Sequence, residues 1–159
     1  GLPARNLKLE VTETALMQSG PVVLNKLTEL REMGVTFSVD DFGTGYSSLA
    51  YLTRLPLDHL KIDLSFVRML ESAPENLEIV RAIIQLATSL GMDVVAEGVE
   101  TLSQQGILSE LGCSYFQGYL FARPLTERKA EEFLLRFDQT HGPVPSALSL
   151  TQANAENMP

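Results

Sequence analysis

The sequence reads as an α/β protein with parallel strands, about five βα units that form either an arc of a TIM-type (β/α)8 barrel or part of an open doubly wound sheet. Three observations carry this reading. Strand-like and helix-like segments alternate from residue 6 to residue 137 and are joined by short loops, the pattern of parallel βα units. A breaker precedes each strand after the first, and a polar residue follows it by five or six positions: Gly34 to Asp40, Pro56 to Lys61, Gly91 to Glu97 and Gly112 to Gln117. At about 3.3 Å per residue that distance crosses one strand, so these side chains arrive at the carboxyl ends, where barrels and open sheets both place their sites. Finally, 159 residues suffice for one core but not for a closed barrel, which takes about 250. On the barrel reading, roughly the first third belongs upstream of Gly1.

Taken in order, Asn6 to Glu13 alternates, with Leu7, Leu9 and Val11 on one face and Lys8, Glu10 and Thr12 on the other. Residues 21–33 carry apolar positions at helical spacing and end at Gly34. Val35 to Phe42 alternates again, Ser48 to Leu55 forms a short helix before Pro56, and His59 to Asp63 is the third strand. Ser72-Ala-Pro-Glu75 has the spacing of a capping box for a helix over 75–90, closed by Gly91. Met92 to Val99 is the fourth strand, and Thr101 with Gln104 caps a helix that stops at Gly112. Tyr115 to Gly118 is a short fifth strand, and Thr126 opens a last helix to Phe137. The domain thus covers 1–137, and 138–159, rich in proline and small polar residues, reads as a disordered tail.

Composition excludes several classes of function. Twenty acids against twelve bases give a net charge of −8, a field that repels DNA or RNA polymers and admits a small anion only where a cation offsets the carboxylates. No window approaches the roughly 18 apolar residues of a membrane span. The single cysteine, Cys113, allows no intrachain disulfide and suits a reducing, cytoplasmic setting as a buried, inert thiol. The opening Gly-Leu-Pro-Ala-Arg lacks both a Met and the apolar run of a secretory leader and enters a strand at once, as a piece of a longer protein would.

The densest chemistry lies at Asp40-Asp41, followed by Phe-Gly-Thr-Gly-Tyr-Ser-Ser. Adjacent carboxylates at a strand end repel unless a cation or donors offset them, and oxygen ligands of this kind suit magnesium or manganese; the bland reading is a solvated acidic turn. Gly43-Thr44-Gly45 lacks the third glycine of a dinucleotide fingerprint and reads instead as a loop able to close over a ligand or meet a partner. Lys61, between Leu60 and Ile62, is a buried cation that requires an acid, with Asp63 and Glu97 the nearest candidates, or else has a chemical task. Glu97 and Glu100 suit a general base or a helix-start acid, and Gln117 suits a ligand-orienting amide or a backbone partner. His59 and His141 have no partner at ligand spacing, and Met17, Met33, Met69 and Met92 read as core or near-core.

Together the segments Leu9-Glu-Val-Thr-Glu13, Asp40-Asp-Phe-Gly-Thr-Gly-Tyr-Ser-Ser-Leu49, Leu60-Lys-Ile-Asp63, Val95-Ala-Glu-Gly-Val-Glu-Thr101 and Gln117-Gly-Tyr-Leu-Phe-Ala-Arg-Pro124 resemble the signatures of the EAL family of cyclic di-GMP phosphodiesterases. The resemblance covers about residues 5–137 and implies the carboxyl-terminal two-thirds of a (β/α)8 barrel. It implies Glu10, Asp40 and Asp41 as ligands of a Mg2+ or Mn2+ pair, Glu97 as the group that positions or deprotonates the attacking water, and Lys61 as the charge that stabilises that water or the phosphate. Gln117, Glu13 and Glu100 take supporting roles, Glu13 by anchoring the loop that holds Gly43, Thr44 and Gly45. The implied reaction is metal-dependent hydrolysis of cyclic di-GMP to linear pGpG in bacterial signalling, under regulatory domains upstream. The name-giving Glu-Ala-Leu motif and a metal-binding Asn are absent from these residues, so weakened metal binding is expected. The unpaired edges of a partial barrel suggest a homo-oligomer. The alternatives are a non-catalytic cyclic di-GMP-binding or dimerisation module and an unrelated metal-dependent barrel enzyme.

Overall fold

Five short strands, β1 (Lys8–Thr12), β2 (Thr36–Phe42), β3 (His59–Ile62), β4 (Asp93–Glu97) and β5 (Tyr115–Gln117), form one parallel sheet in the order β1-β2-β3-β4-β5. A doubly wound sheet reverses its strand order at a switch point. This one never does, so it is wound as an arc of a barrel. The computed structural model describes residues 1–18, 21–43 and 49–141, in two compact units, Gly1–Phe121 and a second that begins at Ala122.

Period-2 alternation divides the sheet into an apolar and a polar face. Phe37, Val39, Leu60, Ile62, Val94 and Ala96 are all buried in the core. The main helix against this face is α5 (Pro74–Ser89), which contacts β3 and β4 and buries Val80, Ile83, Ile84 and Ala87 at the i, i+3, i+4, i+7 spacing of one helical stripe. The alternate strand positions carry Glu10, Ser38, Asp40, His59, Lys61, Glu97 and Gln117. The face turned away from the helices is therefore the one with chemistry.

Further helices are α1 (Glu13–Gln18), α2 (Pro21–Glu32), α3 (Leu49–Leu52), α4 (Leu64–Arg68) and α6 (Leu102–Glu110). The sequence pattern hides α1 and α4, since neither is long enough to show a period. Asp63 is not a partner of Lys61: its carboxylate accepts the Ser65 amide at 2.9 Å and caps α4. The capping box expected at Ser72 does not form either. Ala73 is the N-cap, a residue with no side-chain acceptor, and Pro74 occupies the first turn, where its missing N–H removes one donor that would otherwise lack a partner. Thr101 does form its box: its hydroxyl accepts the Gln104 amide at 3.1 Å, and the Gln104 side chain accepts the Glu100 and Thr101 amides. Thr101→Ala is therefore expected to cost about 1 kcal/mol, read as a lower urea midpoint with unchanged m-value.

Met92 is buried as expected, but Met33 and Met69 are exposed, because they sit at helix ends that turn toward solvent. In the second unit, α7 (Glu127–His141) runs four residues beyond the expected stop at Phe137, so 138–141 are helical and not tail. The remaining tail expectation, residues 142–159, lies outside the described residues. No described helix is long and apolar enough to cross a membrane.

Candidate metal-dependent active site

Lys61 is the hub of the polar face. Its ammonium lies 2.8 Å from Glu10 Oε2 on β1, 2.9 Å from Asp40 Oδ1 on β2 and 2.5 Å from Glu97 Oε1 on β4, so three strands converge on one residue of β3. The side chain is only 7% exposed. Burial alone would lower its pKa, but the three carboxylates of Glu10, Glu97 and Asp40 outweigh that and raise it above the ordinary lysine value. Since the folded-state value is the higher one, this stabilisation is complete through neutral pH and is lost only in strong alkali.

Adjacent residues of a strand point to opposite faces, so Asp40 and Asp41 should diverge. They do not, for a local reason. From Val39 to Phe42 the chain spans three steps opposite the two from Leu60 to Ile62, an extra residue in β2. Asp41 absorbs it with φ +54, a left-handed conformation that Asp tolerates better than most residues. The result brings carboxylate oxygens of Asp40, Asp41 and Glu97 within 4.8 Å of one another. The sequence-derived ligand set was Glu10, Asp40 and Asp41; in the fold Glu97 joins the two aspartates, and Glu10 reaches them through Lys61.

An all-oxygen set of three carboxylates fits a hard divalent cation. Asp40 Oδ1 adds a second sign: it is buried and, despite its proximity to Lys61, has no aligned hydrogen bond. Beneath this cluster, Glu13 is 2% exposed and its carboxylate accepts the Gly43 amide at 3.0 Å, tying the start of α1 to the end of β2. Thr44 and Gly45 fall outside the described residues.

A cleft of about 220 Å3 opens beside Glu97, lined also by Leu64, Arg68, Glu100, Gln117 and Tyr119. Here Glu100 pairs loosely with Arg68 at 3.8 Å, and Gln117 is exposed at the end of β5. Arg68 and Leu64 escaped the sequence reading because they stand outside the strand-end pattern, and Tyr119 entered it only as part of the Gln117–Pro124 segment. His59, one inward position below Lys61, packs edge-on to Tyr115 at a centroid distance of 6.3 Å, and burial lowers its pKa. It stands apart from the cluster of oxygens. Cys113 is buried against the Val94 and Tyr115 carbonyls, and burial pushes its thiol pKa up, as an inert thiol requires.

With this geometry in hand, comparison with known proteins is decisive, because the EAL domain profile matches residues 1–124. The chain belongs to the EAL domain family. It is 52% identical over 155 residues to the cyclic di-GMP phosphodiesterase NbdA of Pseudomonas aeruginosa, covering 96% of this chain and 19% of that protein. The solved structure of the MucR phosphodiesterase of the same species, in complex with c-di-GMP, superposes with a TM-score of 0.78 at 46% identity, covering 81% of this chain and 52% of that one. Klebsiella pneumoniae BlrP1, solved as a manganese and cyclic di-GMP complex, superposes with a TM-score of 0.71 at 39% identity, over 77% of this chain and 31% of that one. The chain thus spans about a fifth of the length of the curated relative NbdA. These EAL structures account for the sheet order seen here, an arc of a barrel with its carboxylates at the carboxyl ends of the strands.

Proposed function

We propose that this chain carries the hydrolytic residues of a cyclic di-GMP phosphodiesterase that produces linear pGpG. The observation that carries the proposal is the Asp40-Asp41-Glu97 oxygen cluster in contact with a buried Lys61. Asp40, Asp41 and Glu97, with Glu10 at the rim, would hold Mg2+ or Mn2+; the bound metal supplies Lewis acidity at the phosphate and a more acidic water. Glu97 takes the proton of the attacking water. Lys61 places its positive charge where the pentacoordinate phosphate gathers negative charge. Glu13 fixes the end of β2 through the Gly43 amide, and the Asp41 conformation depends on that end staying in place. Glu100 and Gln117 line the cleft in which the dinucleotide lies. The relatives' names and bound ligands support the substrate.

The test is hydrolysis of cyclic di-GMP by the protein that carries this chain, with Mg2+ or Mn2+ present and then chelated. Metal-dependent release of pGpG is expected. Tight binding without turnover would show a non-catalytic binding module instead. A related expectation concerns assembly and regulation. The outer edges of β1 and β5 have no partner strand among the described residues, and such edges pair with other chains, so self-association is part of this reading, as is control by further domains of the longer protein. Sedimentation at micromolar concentration checks it: a monomer whose unfolding is independent of concentration contradicts self-association.

A further inference from the structure

Four carboxylates, Glu10, Asp40, Asp41 and Glu97, surround one ammonium, Lys61, a formal charge of −3 for the five groups. Three of the four acids touch Lys61 directly, and two of those three, Asp40 and Glu97, are also two of the three oxygen donors gathered for a cation. The same two side chains cannot serve both positive charges without placing them a few ångströms apart in a partly buried site, where Coulomb repulsion is screened much less than in water. We infer that Lys61 is a tethered counter-ion that the divalent cation must displace, so that metal binding at Asp40, Asp41 and Glu97 is an exchange and not a simple addition. The inference rests on the metal site proposed above.

Two details of the site agree with an exchange. The Asp40 Oδ1 contact with Lys61 at 2.9 Å lacks hydrogen-bond alignment, so it is the contact most easily given up. Glu10, whose side chain is 48% exposed, keeps a hydrogen bond to the ammonium at 2.8 Å and gives Lys61 a resting place once Asp40 and Glu97 turn to the metal. The exchange has a functional consequence. While it is held by three acids, Lys61 offers no charge to an anionic phosphate; released by metal, it does. Occupancy of the metal site would thereby switch on the phosphate-facing cation.

The experiment uses this chain with Mn2+ as the probe, following the electron paramagnetic resonance signal of the free ion. Lys61→Met, which keeps the linear apolar stem and removes the charge, is expected to bind Mn2+ at least tenfold more tightly than the wild type, while Lys61→Arg binds no more tightly than the wild type. Equal or weaker binding by Lys61→Met would overturn the exchange. Because four acids without their counter-ion threaten folding, the wild type is followed in parallel by NMR of the lysine ammonium groups during a Mg2+ titration. The Lys61 signal should shift and exchange faster as the site fills, and a signal unmoved at saturation defeats the idea. Absence of Mn2+ binding in all three proteins would remove the metal site itself and this inference with it, whereas binding that is equally tight with and without the Lys61 charge removes only the exchange.

Discussion

Gly118→Ala is expected to cost more than about 4 kcal/mol, a large share of the roughly 5–15 kcal/mol that holds a domain folded, whereas Gly106→Ala should stabilise it by about 1 kcal/mol. A Cβ on Gly118 would stand 2.2 Å from the Val99 carbonyl oxygen and 2.3 Å from its amide nitrogen, both backbone atoms. That backbone has no freedom to retreat, because the Val99 amide donates to Gln117 O at 3.1 Å and its carbonyl accepts the Leu120 amide at 3.0 Å. The close approach is what fixes β5 beside β4 and pairs Glu97 with Gln117, so the clash falls on the edge of the candidate site. Gly106, by contrast, sits inside α6 with nothing within 4 Å of an added methyl, and alanine there only removes backbone entropy from the unfolded chain. Urea titrations of the two variants check both signs at once. A Gly118→Ala protein with a near-normal midpoint would mean that Gly118 does not pack this closely on Val99.

How the fold announces itself in the chain follows from which forces act locally. Breakers and period-2 alternation are local, so β2, β3 and β4 lie within a few residues of where the pattern puts them, and the polar strand-end residues Asp40, Lys61 and Glu97 do meet. The Thr101 box is local too, and it forms. Long-range terms are not written that way. Whether Lys61 pairs with Asp63 or with acids on neighbouring strands depends on sheet pairing, and Asp63 is drawn off by the Ser65 amide of a helix only five residues long. The extra residue in β2 is likewise invisible as a pattern, since it is defined by the mismatch between Val39–Phe42 and Leu60–Ile62 across two strands. Yet that mismatch is what converts an adjacent Asp-Asp pair from two diverging side chains into two neighbouring donors. Choosing a barrel arc over a doubly wound sheet also waits on strand order, which no single segment encodes.

Glu97→Gln and Lys61→Ala are expected to lower cyclic di-GMP turnover by about 10²–10⁴-fold in the protein that carries this chain, with substrate affinity changed only severalfold. The split follows from the roles: both groups act on charge that develops after the substrate is bound, the proton leaving the water and the negative charge gathering on phosphate. Glu97 has two ways to matter, because it is the proposed proton acceptor and also a member of the cluster with Asp40 and Asp41. The amide of Glu97→Gln keeps the size and one oxygen but cannot take a proton. If the metal-ligand role dominates, raising Mn2+ should restore turnover to Glu97→Gln by refilling a weakened site; if the proton-transfer role dominates, saturating Mn2+ leaves it slow. The second outcome is expected here, since Asp40 and Asp41 remain to hold the cation. Measuring kcat and KM across a Mn2+ series separates the two, and a variant with near-normal kcat at every concentration would strike Glu97 or Lys61 from the catalytic set.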